Sequence, residues 1–185
     1  ANRNIEVTTA LLEDLSNWNH AQTNTDLLTT NFTIQAITPK IIYVNIGVSG
    51  GNNDGTSWAN AYNTLQEALE NKNPCATDEI WVAQGTYKPG SSETDNFNIP
   101  TNVNVLGGFH GTETTADERD WVANPTILSG DLNNNKTPDA GDSHTIVKMN
   151  HNNSVLNGFI IQYAYADGTE NSPIAIGRSG GGVYN

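Results

Sequence analysis

Short apolar segments separated by Gly- and Asn-rich turns dominate the chain after residue 78, and this pattern constrains its fold most. The segments are 79–83, 102–109, 125–130, 145–149 and 154–162, and a similar one lies earlier, at 41–45. Ile, Val and aromatic side chains recur in them, and no helical periodicity separates them, which is typical of β-strands. The sequence therefore predicts an all-β fold with many turns.

The spacing of the segments distinguishes between two all-β architectures. Antiparallel sandwiches place a turn about every 8–12 residues, and several connections here are longer. Ile80, Val103 and Ile127 lie about 23 residues apart, a spacing typical of stacked repeats. We therefore expect a right-handed parallel β-helix, a solenoid in which the short strands of one coil stack on those of the next. These three residues would then belong to successive coils.

One amphipathic helix is predicted before the first coil. Leu65, Ala68 and Leu69 form a single apolar face at helical spacing. Asn63 or Thr64 can cap its start, and Glu67 completes a capping box if Thr64 is the cap. An end coil of a β-helix would expose its apolar core and its unpaired backbone groups. We therefore expect this helix to cap the N-terminal end of the solenoid.

Composition and charge exclude several classes of function. Eight Lys and Arg residues stand against 20 Asp and Glu, a net charge of −12, so nucleic acid and anionic lipid are not expected as main partners. The chain is rich in Asn (27) and Gly (17), which supply the backbone conformations that turns require. The sequence contains no run of 18 apolar residues, so no membrane span is predicted. The single cysteine, Cys75, permits no internal disulfide and is predicted to be a small buried side chain after the helix.

Several motifs beyond the strand pattern resemble a known family. They are YVN (43–45), DGTSWANAY (54–62), DEIWVAQGTYKP (78–89), LGGF (106–109), RDW (119–121), PTILSGD (125–131) and GGGVYN (180–185). In this order they resemble the bacterial secreted or surface right-handed parallel β-helix proteins with a pectate-lyase-like fold, over about residues 41–185. The resemblance implies the fold and a secreted or cell-surface location. It implies no single activity, because this fold hosts several functions.

The chain is predicted to consist of two regions. Residues 1–40 differ in composition from the rest and are expected to be a leader or linker with one strand at 32–36. Residues 41–185 are expected to be the N-terminal cap and the first coils of the β-helix. In the family the GGGVYN motif opens further coils, so the resemblance implies a solenoid truncated after Asn185. Its open C-terminal coil would stack on the remaining coils of a longer chain or on another copy.

The loop 131–142 is the strongest candidate for a metal site. Asp131, Asn133 and Asn135 alternate as at the start of a Ca²⁺-binding loop, and Asp139 and Asp142 offer further oxygen ligands. The Gly and the terminal Glu of an EF-hand are missing. Two interpretations remain open: a structural Ca²⁺ site, or a solvated cluster of turn residues.

Catalytic groups are not evident in the sequence, and no catalytic residue is assigned. The resemblance implies that lyases of this fold use Ca²⁺ with an Arg or Lys base, but Arg119, between Glu118 and Asp120, is interpreted as a loop salt bridge that positions Trp121. Hydrolases use clustered carboxylates, and no Asp-Asp pair occurs. The aromatic residues near strand ends are interpreted as packing residues, with a sugar-stacking platform as the alternative. They are Trp58, Trp81, Trp121, Tyr62 and Tyr87.

These observations favour an extracellular structural or adhesive β-helix module of a bacterial surface or secreted protein, without catalysis in this chain. Its expected partner is a polysaccharide or surface glycan, and its expected cofactor is a structural Ca²⁺ ion. The alternative is the N-terminal part of a carbohydrate-active enzyme, a polysaccharide lyase or glycoside hydrolase, or a glycan-binding β-helix.

Overall fold

The computed structural model describes residues 39–72, 77–149, 153–166 and 181–184. All of them belong to one compact unit, residues 37–185. The predicted strand at 32–36 and the predicted burial of Cys75 lie outside the described residues, as does nearly all of the predicted leader or linker, 1–40. The division of the chain at residue 40 stays a prediction.

The described residues form ten strands, one α-helix and two 3₁₀ helices. The strands are β1 (Ile41–Val44), β2 (Asp78–Ala83), β3 (Gly85–Tyr87), β4 (Phe97–Ile99), β5 (Val103–Phe109), β6 (Thr126–Ser129), β7 (Val147–Met149), β8 (Val155–Asn157), β9 (Phe159–Gln162) and β10 (Val183–Tyr184). The helix α1 is Leu65–Glu70, and the 3₁₀ helices are Trp58–Asn60 and Ala116–Glu118.

The strands pair in three sheets, and every pairing between them is parallel. The first sheet has the order β1-β2-β5-β8, the second β3-β6-β9 and the third β4-β7-β10. Consecutive strands pass from the first sheet to the second and then to the third, and this sequence recurs three times from β2 to β10. The described part of the chain is therefore mostly parallel β-structure with few helices, as the all-β prediction requires.

Aligned rows of apolar side chains form the core. In the first sheet, Ile42 pairs with Ile80, Ile80 with Val105, and Val105 with Leu156. The first three of these side chains are at most 3% exposed, and Leu156 packs against them. Residues of the other two sheets complete the same cluster; they include Tyr87, Phe97, Ile99, Leu128 and Val147. Each such burial stabilises the fold by about 1.5–3 kcal/mol relative to an exposed side chain.

The regular spacing of Ile80, Val103 and Ile127 does not mark the stacking repeat, so this expectation was wrong in detail. Ile80 pairs with Val105, and Val103 pairs with Asp78. Ile127 lies in the second sheet, between Thr86 and Ile160. The spacing fails because the loops between paired strands differ in length. Paired strands must lie side by side, but the loops that connect them tolerate long insertions.

The predicted helix is confirmed, together with its capping box. Glu67 donates its backbone N–H to the Thr64 hydroxyl over 3.3 Å, and the Glu67 carboxylate accepts the backbone N–H of Thr64 over 3.2 Å. Leu65, Ala68 and Leu69 are buried and join the core cluster. The helix packs against β1, β2 and β4.

Glycines shape the first sheet and its last corner. The Gly107-Gly108 pair of the LGGF motif is typical of a tight corner, but it lies inside β5. There Trp81 pairs with Leu106 and Ala83 with Phe109, so β5 carries one extra residue, a β-bulge at Gly108 with φ of 90°. The corner glycine is Gly158, whose φ of 82° divides the predicted strand 154–162 into β8 and β9. The short strands β3, β4 and β10 were not predicted.

Candidate functional site

The five predicted metal ligands all lie in the loop between β6 and β7. Asp131 and Asp142 are buried, at 5% and 0% exposure. The Asp131 carboxylate accepts the backbone N–H groups of Asn135 (3.1 Å) and Lys136 (3.0 Å). The Asp142 carboxylate accepts those of Leu132 (2.9 Å) and Asp139 (3.2 Å). The two carboxylates thus close the loop at both ends.

The other three predicted ligands bond to one another in the middle of the loop. The Asp139 carboxylate accepts hydrogen bonds from the side-chain amides of Asn133 (2.8 Å) and Asn135. Asn133 Oδ1 in turn accepts the backbone N–H of Asn135 over 3.0 Å. The oxygens of the predicted ligands therefore accept hydrogen bonds from N–H groups of the same loop, which is the arrangement expected of a cluster of turn residues.

A lysine supplies positive charge beside this loop. Lys88 follows β3 and donates from Nζ to Asn134 Oδ1 over 2.8 Å and to the Leu132 carbonyl over 3.5 Å. In the described segments, no group of three or more His, Cys, Asp or Glu residues is arranged to hold a metal ion. The Ca²⁺ site at Asp131, Asn133, Asn135, Asp139 and Asp142 stays a prediction.

Carboxylates close other loops in the same way. Glu113 accepts three successive backbone N–H groups, from His110 (2.6 Å), Gly111 (2.9 Å) and Thr112 (2.9 Å). Partial burial raises the pKa of Glu113, but these three bonds outweigh it and lower the pKa below its usual value. Further carboxylates that accept backbone N–H groups of their own loops are Asp54, Asp95, Glu118 and Asp120.

Two of these exposed carboxylates also have lowered pKa values. The pKa of Glu118 is lowered mainly by the backbone N–H groups of Thr115 and Thr114. The pKa of Asp54 is lowered mainly by the hydroxyl and then the backbone N–H of Thr56. A lowered pKa favours the ionised form, which accepts hydrogen bonds but cannot deliver a proton near neutral pH. These side chains are therefore suited to loop closure and unsuited to general acid catalysis.

Arg119 does not form the predicted salt bridge. Its Nε donates to the Ala116 carbonyl over 2.8 Å, and its Nη1 donates to Asn157 Oδ1 over 3.0 Å. Its guanidinium lies 5.7 Å from the centre of the Phe109 ring. Among the described residues it has no ion pair with Glu118 or Asp120, because both neighbouring carboxylates bind backbone N–H groups instead.

Most of the aromatic residues near strand ends pack against other side chains, as the sequence analysis predicts. Trp58 and Trp81 lie on the outer face of the first sheet with Tyr43 and Phe109, and the Trp81 and Phe109 rings stack at 4.7 Å. The Trp58 indole N–H donates to the Glu113 carbonyl over 2.9 Å. Tyr87 is 2% exposed in the core, and Tyr62 packs against the same core. Trp81 and Tyr87 are buried, whereas Trp58 and Tyr62 are half-buried.

Trp121 differs from them, because it is 56% exposed. It lines a groove of about 260 Å³ together with Asn157, Gly158, Phe159 and Ile160. The groove lies where β8 turns into β9, beside the loop that follows β5. Sequence reasoning singled out Trp121 but missed the four other residues. The Asn-Gly pair inside an apolar segment was the available signal for a corner there.

In the part of the chain that the structure describes, no helix has both the length and the apolar character needed to cross a membrane. Neither a search of curated proteins nor a search of solved structures returned a match. The family described as "Protein of unknown function (DUF1565)" matches residues 48–185. Because this match covers well over half of the sequence, the chain belongs to the DUF1565 family.

Proposed function

We propose that residues 41–185 form the capped beginning of a right-handed parallel β-helix with a pectate-lyase-like fold. The recurrence of strands from the first sheet to the second and the third supports this arrangement, because each recurrence corresponds to one coil. Helix α1 packs beside β1, the first strand of the first sheet, and its buried face contributes to the core there. It is thus suited to act as the cap of the stack.

We propose further that this β-helix is an extracellular structural or adhesive module without catalytic activity. The observation that carries this proposal is that buried and half-buried carboxylates accept backbone N–H groups of their own loops. Asp131, Asp142 and Glu113 each accept at least two backbone N–H groups. A glycosidase needs two carboxyl groups that face a shared substrate, and acidic residues engaged in turns do not supply such a pair. A stiff, acidic, loop-covered scaffold suits display at a surface.

Assembly through the end of the stack follows from the same proposal. Strands β8 and β9 are edge strands of the described sheets. Edge strands present unpaired backbone groups that pair with further strands. We propose that they stack on further coils of a longer chain or on another copy.

Activity assays test the non-catalytic role. The chain is incubated with polygalacturonate, alginate, xylan and a β-glucan, and reducing ends and the ultraviolet absorbance of unsaturated products are followed. We expect no product above a heat-treated control. Product formation that Asp131→Asn or Glu113→Gln abolishes in a folded variant would identify an enzyme instead.

Fractionation tests the extracellular location. An antibody against residues 41–185 is used on culture medium, surface extract and cytosol of the native organism. We expect the protein in the medium or the surface extract. Its confinement to the cytosol would contradict the proposal.

A further inference from the structure

We propose that the groove beside Trp121 binds a neutral glycan, with the Trp121 indole as the stacking surface and Asn157 as the hydrogen-bonding group. This inference rests on the proposed adhesive role and names the class of ligand that such a module would hold. The groove is lined by Trp121, Asn157, Gly158, Phe159 and Ile160, with a volume of about 260 Å³. That space is suited to one or two sugar rings of a longer chain.

The backbone beneath Trp121 is held firmly, although its side chain is 56% exposed. Asp120 donates its backbone N–H to the Gly108 carbonyl over 2.9 Å, and Asn124 donates to the Asp120 carbonyl over 2.8 Å. The Asp120 carboxylate also accepts the N–H groups of Val122 and Ala123, over 3.0 and 2.9 Å. An exposed indole on an anchored turn loses little freedom on binding, which favours affinity.

Glycines allow the floor of the groove to form. A Cβ atom on Gly108 would lie 3.0 Å from the backbone of Trp121, so only glycine lets the Trp121 turn approach β5 this closely. A Cβ atom on Gly107 would lie 2.6 Å from the Gly158 carbonyl oxygen and 3.1 Å from the Phe159 ring. The bulge and the corner therefore bring Trp121 close to Gly158 and Phe159, which lie in a different segment of the chain.

The chemistry of the lining identifies the ligand class. None of the five lining residues carries a charge, so the lining itself offers no ion-pair partner to a ligand. The neighbouring Arg119 guanidinium is already bound to the Ala116 carbonyl and to Asn157 Oδ1. Trp121, Phe159 and Ile160 present apolar surface, and Asn157 presents an amide whose Oδ1 is held by Arg119 over 3.0 Å. A neutral pyranose has an apolar C–H face for the indole and hydroxyl groups for the amide. The net charge of −12 further disfavours acidic polysaccharides.

Titration with defined oligosaccharides tests this proposal. Cellohexaose, xylohexaose and laminarihexaose serve as neutral probes, and hexagalacturonate serves as the acidic probe. Calorimetry and tryptophan fluorescence are recorded on the 185-residue chain. For a shallow groove that holds one or two sugar rings we expect a Kd on the order of 1 mM for at least one neutral probe. We expect no binding of hexagalacturonate.

Matched variants assign the binding to the groove. We expect Trp121→Ala to weaken binding by about tenfold or more and Trp121→Phe to keep part of it. Asn157→Ala should weaken it by a smaller factor. Val122→Ala is the control, because Val122 is 83% exposed on the same turn but does not line the groove, and its affinity should be unchanged. Thermal unfolding of each variant shows that the fold is retained.

Three outcomes would overturn the inference. They are the absence of binding by every neutral probe, binding that Trp121→Ala leaves unchanged, and preference for the acidic probe. Sedimentation that shows a dimer dissociated by Trp121→Ala would assign the groove to a second copy instead. Each outcome is separate from the polysaccharide cleavage that would overturn the non-catalytic role.

Discussion

The buried hydroxyl of Tyr87 donates a hydrogen bond to the carbonyl oxygen of Ala83, 3.0 Å away, across the corner between β2 and β3. The same hydroxyl accepts the backbone N–H of Ile46 over 3.1 Å. One side chain thereby ties the loop after β1 to the corner between β2 and β3. Because Tyr87 is 2% exposed, water cannot replace these bonds without opening the core.

Replacement of this hydroxyl should destabilise the fold. We expect Tyr87→Phe to lower the free energy of unfolding by about 1–2 kcal/mol, because the Ile46 N–H loses its acceptor while the ring still fills its site. Urea unfolding measures the change. Tyr43→Phe is the matched control, since Tyr43 is only half-buried and its hydroxyl has no hydrogen-bond partner among the described residues. Equal effects of the two substitutions would contradict the assigned role.

Alkaline pH should weaken the contribution of Tyr87. Burial raises the pKa of Tyr87 to about 12, from 10.0, although the Ile46 N–H lowers it in part. Its contribution is complete below pH 10 and is lost as the pH rises through 12, because only the unfolded chain ionises freely in that interval. Two pKa units correspond to about 3 kcal/mol. We therefore expect the stability advantage over Tyr87→Phe to shrink, and then to reverse, between pH 10 and 12.

Acid should weaken the loop that Glu113 closes. Burial raises the pKa of Glu113 less than its bonds from His110, Gly111 and Thr112 lower it, so the folded pKa lies below 4.5. Its contribution is present above pH 4.5 and is lost as the pH falls through the lowered folded pKa. We expect Glu113→Gln to lower Tm at pH 7 and to lose less than the parent chain on acidification. Asp117→Asn, at an exposed site in the same loop, should behave like the parent chain.

Gly107 should be intolerant of any side chain. A Cβ atom there would lie 2.6 Å from the backbone oxygen of Gly158, and backbone cannot move aside as a side chain can. We expect Gly107→Ala to lower the free energy of unfolding by about 1–3 kcal/mol. At the control position Gly47, the Cβ would meet only the Asn45 side-chain oxygen at 3.3 Å. Gly47→Ala should change stability by less than about 0.5 kcal/mol, and a similar loss at both positions would contradict the packing argument.

The Ca²⁺ prediction for the loop 131–142 is tested by chelation. If the ion binds, thermal unfolding with added Ca²⁺ should show a higher Tm than unfolding in EDTA, because a ligand of the folded state stabilises it. Asp139→Asn should remove most of that difference, since Asp139 is the carboxylate that binds only side-chain amides. A Tm that EDTA leaves unchanged would identify the loop as a turn cluster stabilised by its own N–H groups.

The sequence by itself determined the local features of this protein. The three-residue separation of Thr64 and Glu67 indicated the capping box, and the apolar segments indicated six strand regions, because both signals depend on neighbours along the chain. The Asp131–Asp142 loop was also recognisable as a unit, since its oxygens bond within a dozen residues. The strands β3, β4 and β10 have only two or three residues, which is too short to show a period-2 pattern, and they were missed.

Only the tertiary structure decided which segments meet. Val105 pairs with Ile80, 25 residues earlier, and with Leu156, 51 residues later, and no local pattern encodes such unequal loops. Trp58 and Trp121 both lie outside the strands, yet the Trp58 indole is half-buried and donates to the Glu113 carbonyl, whereas Trp121 is 56% exposed and lines a groove. Exposure of a side chain depends on what packs over it, and that is decided only when distant segments of the chain come together.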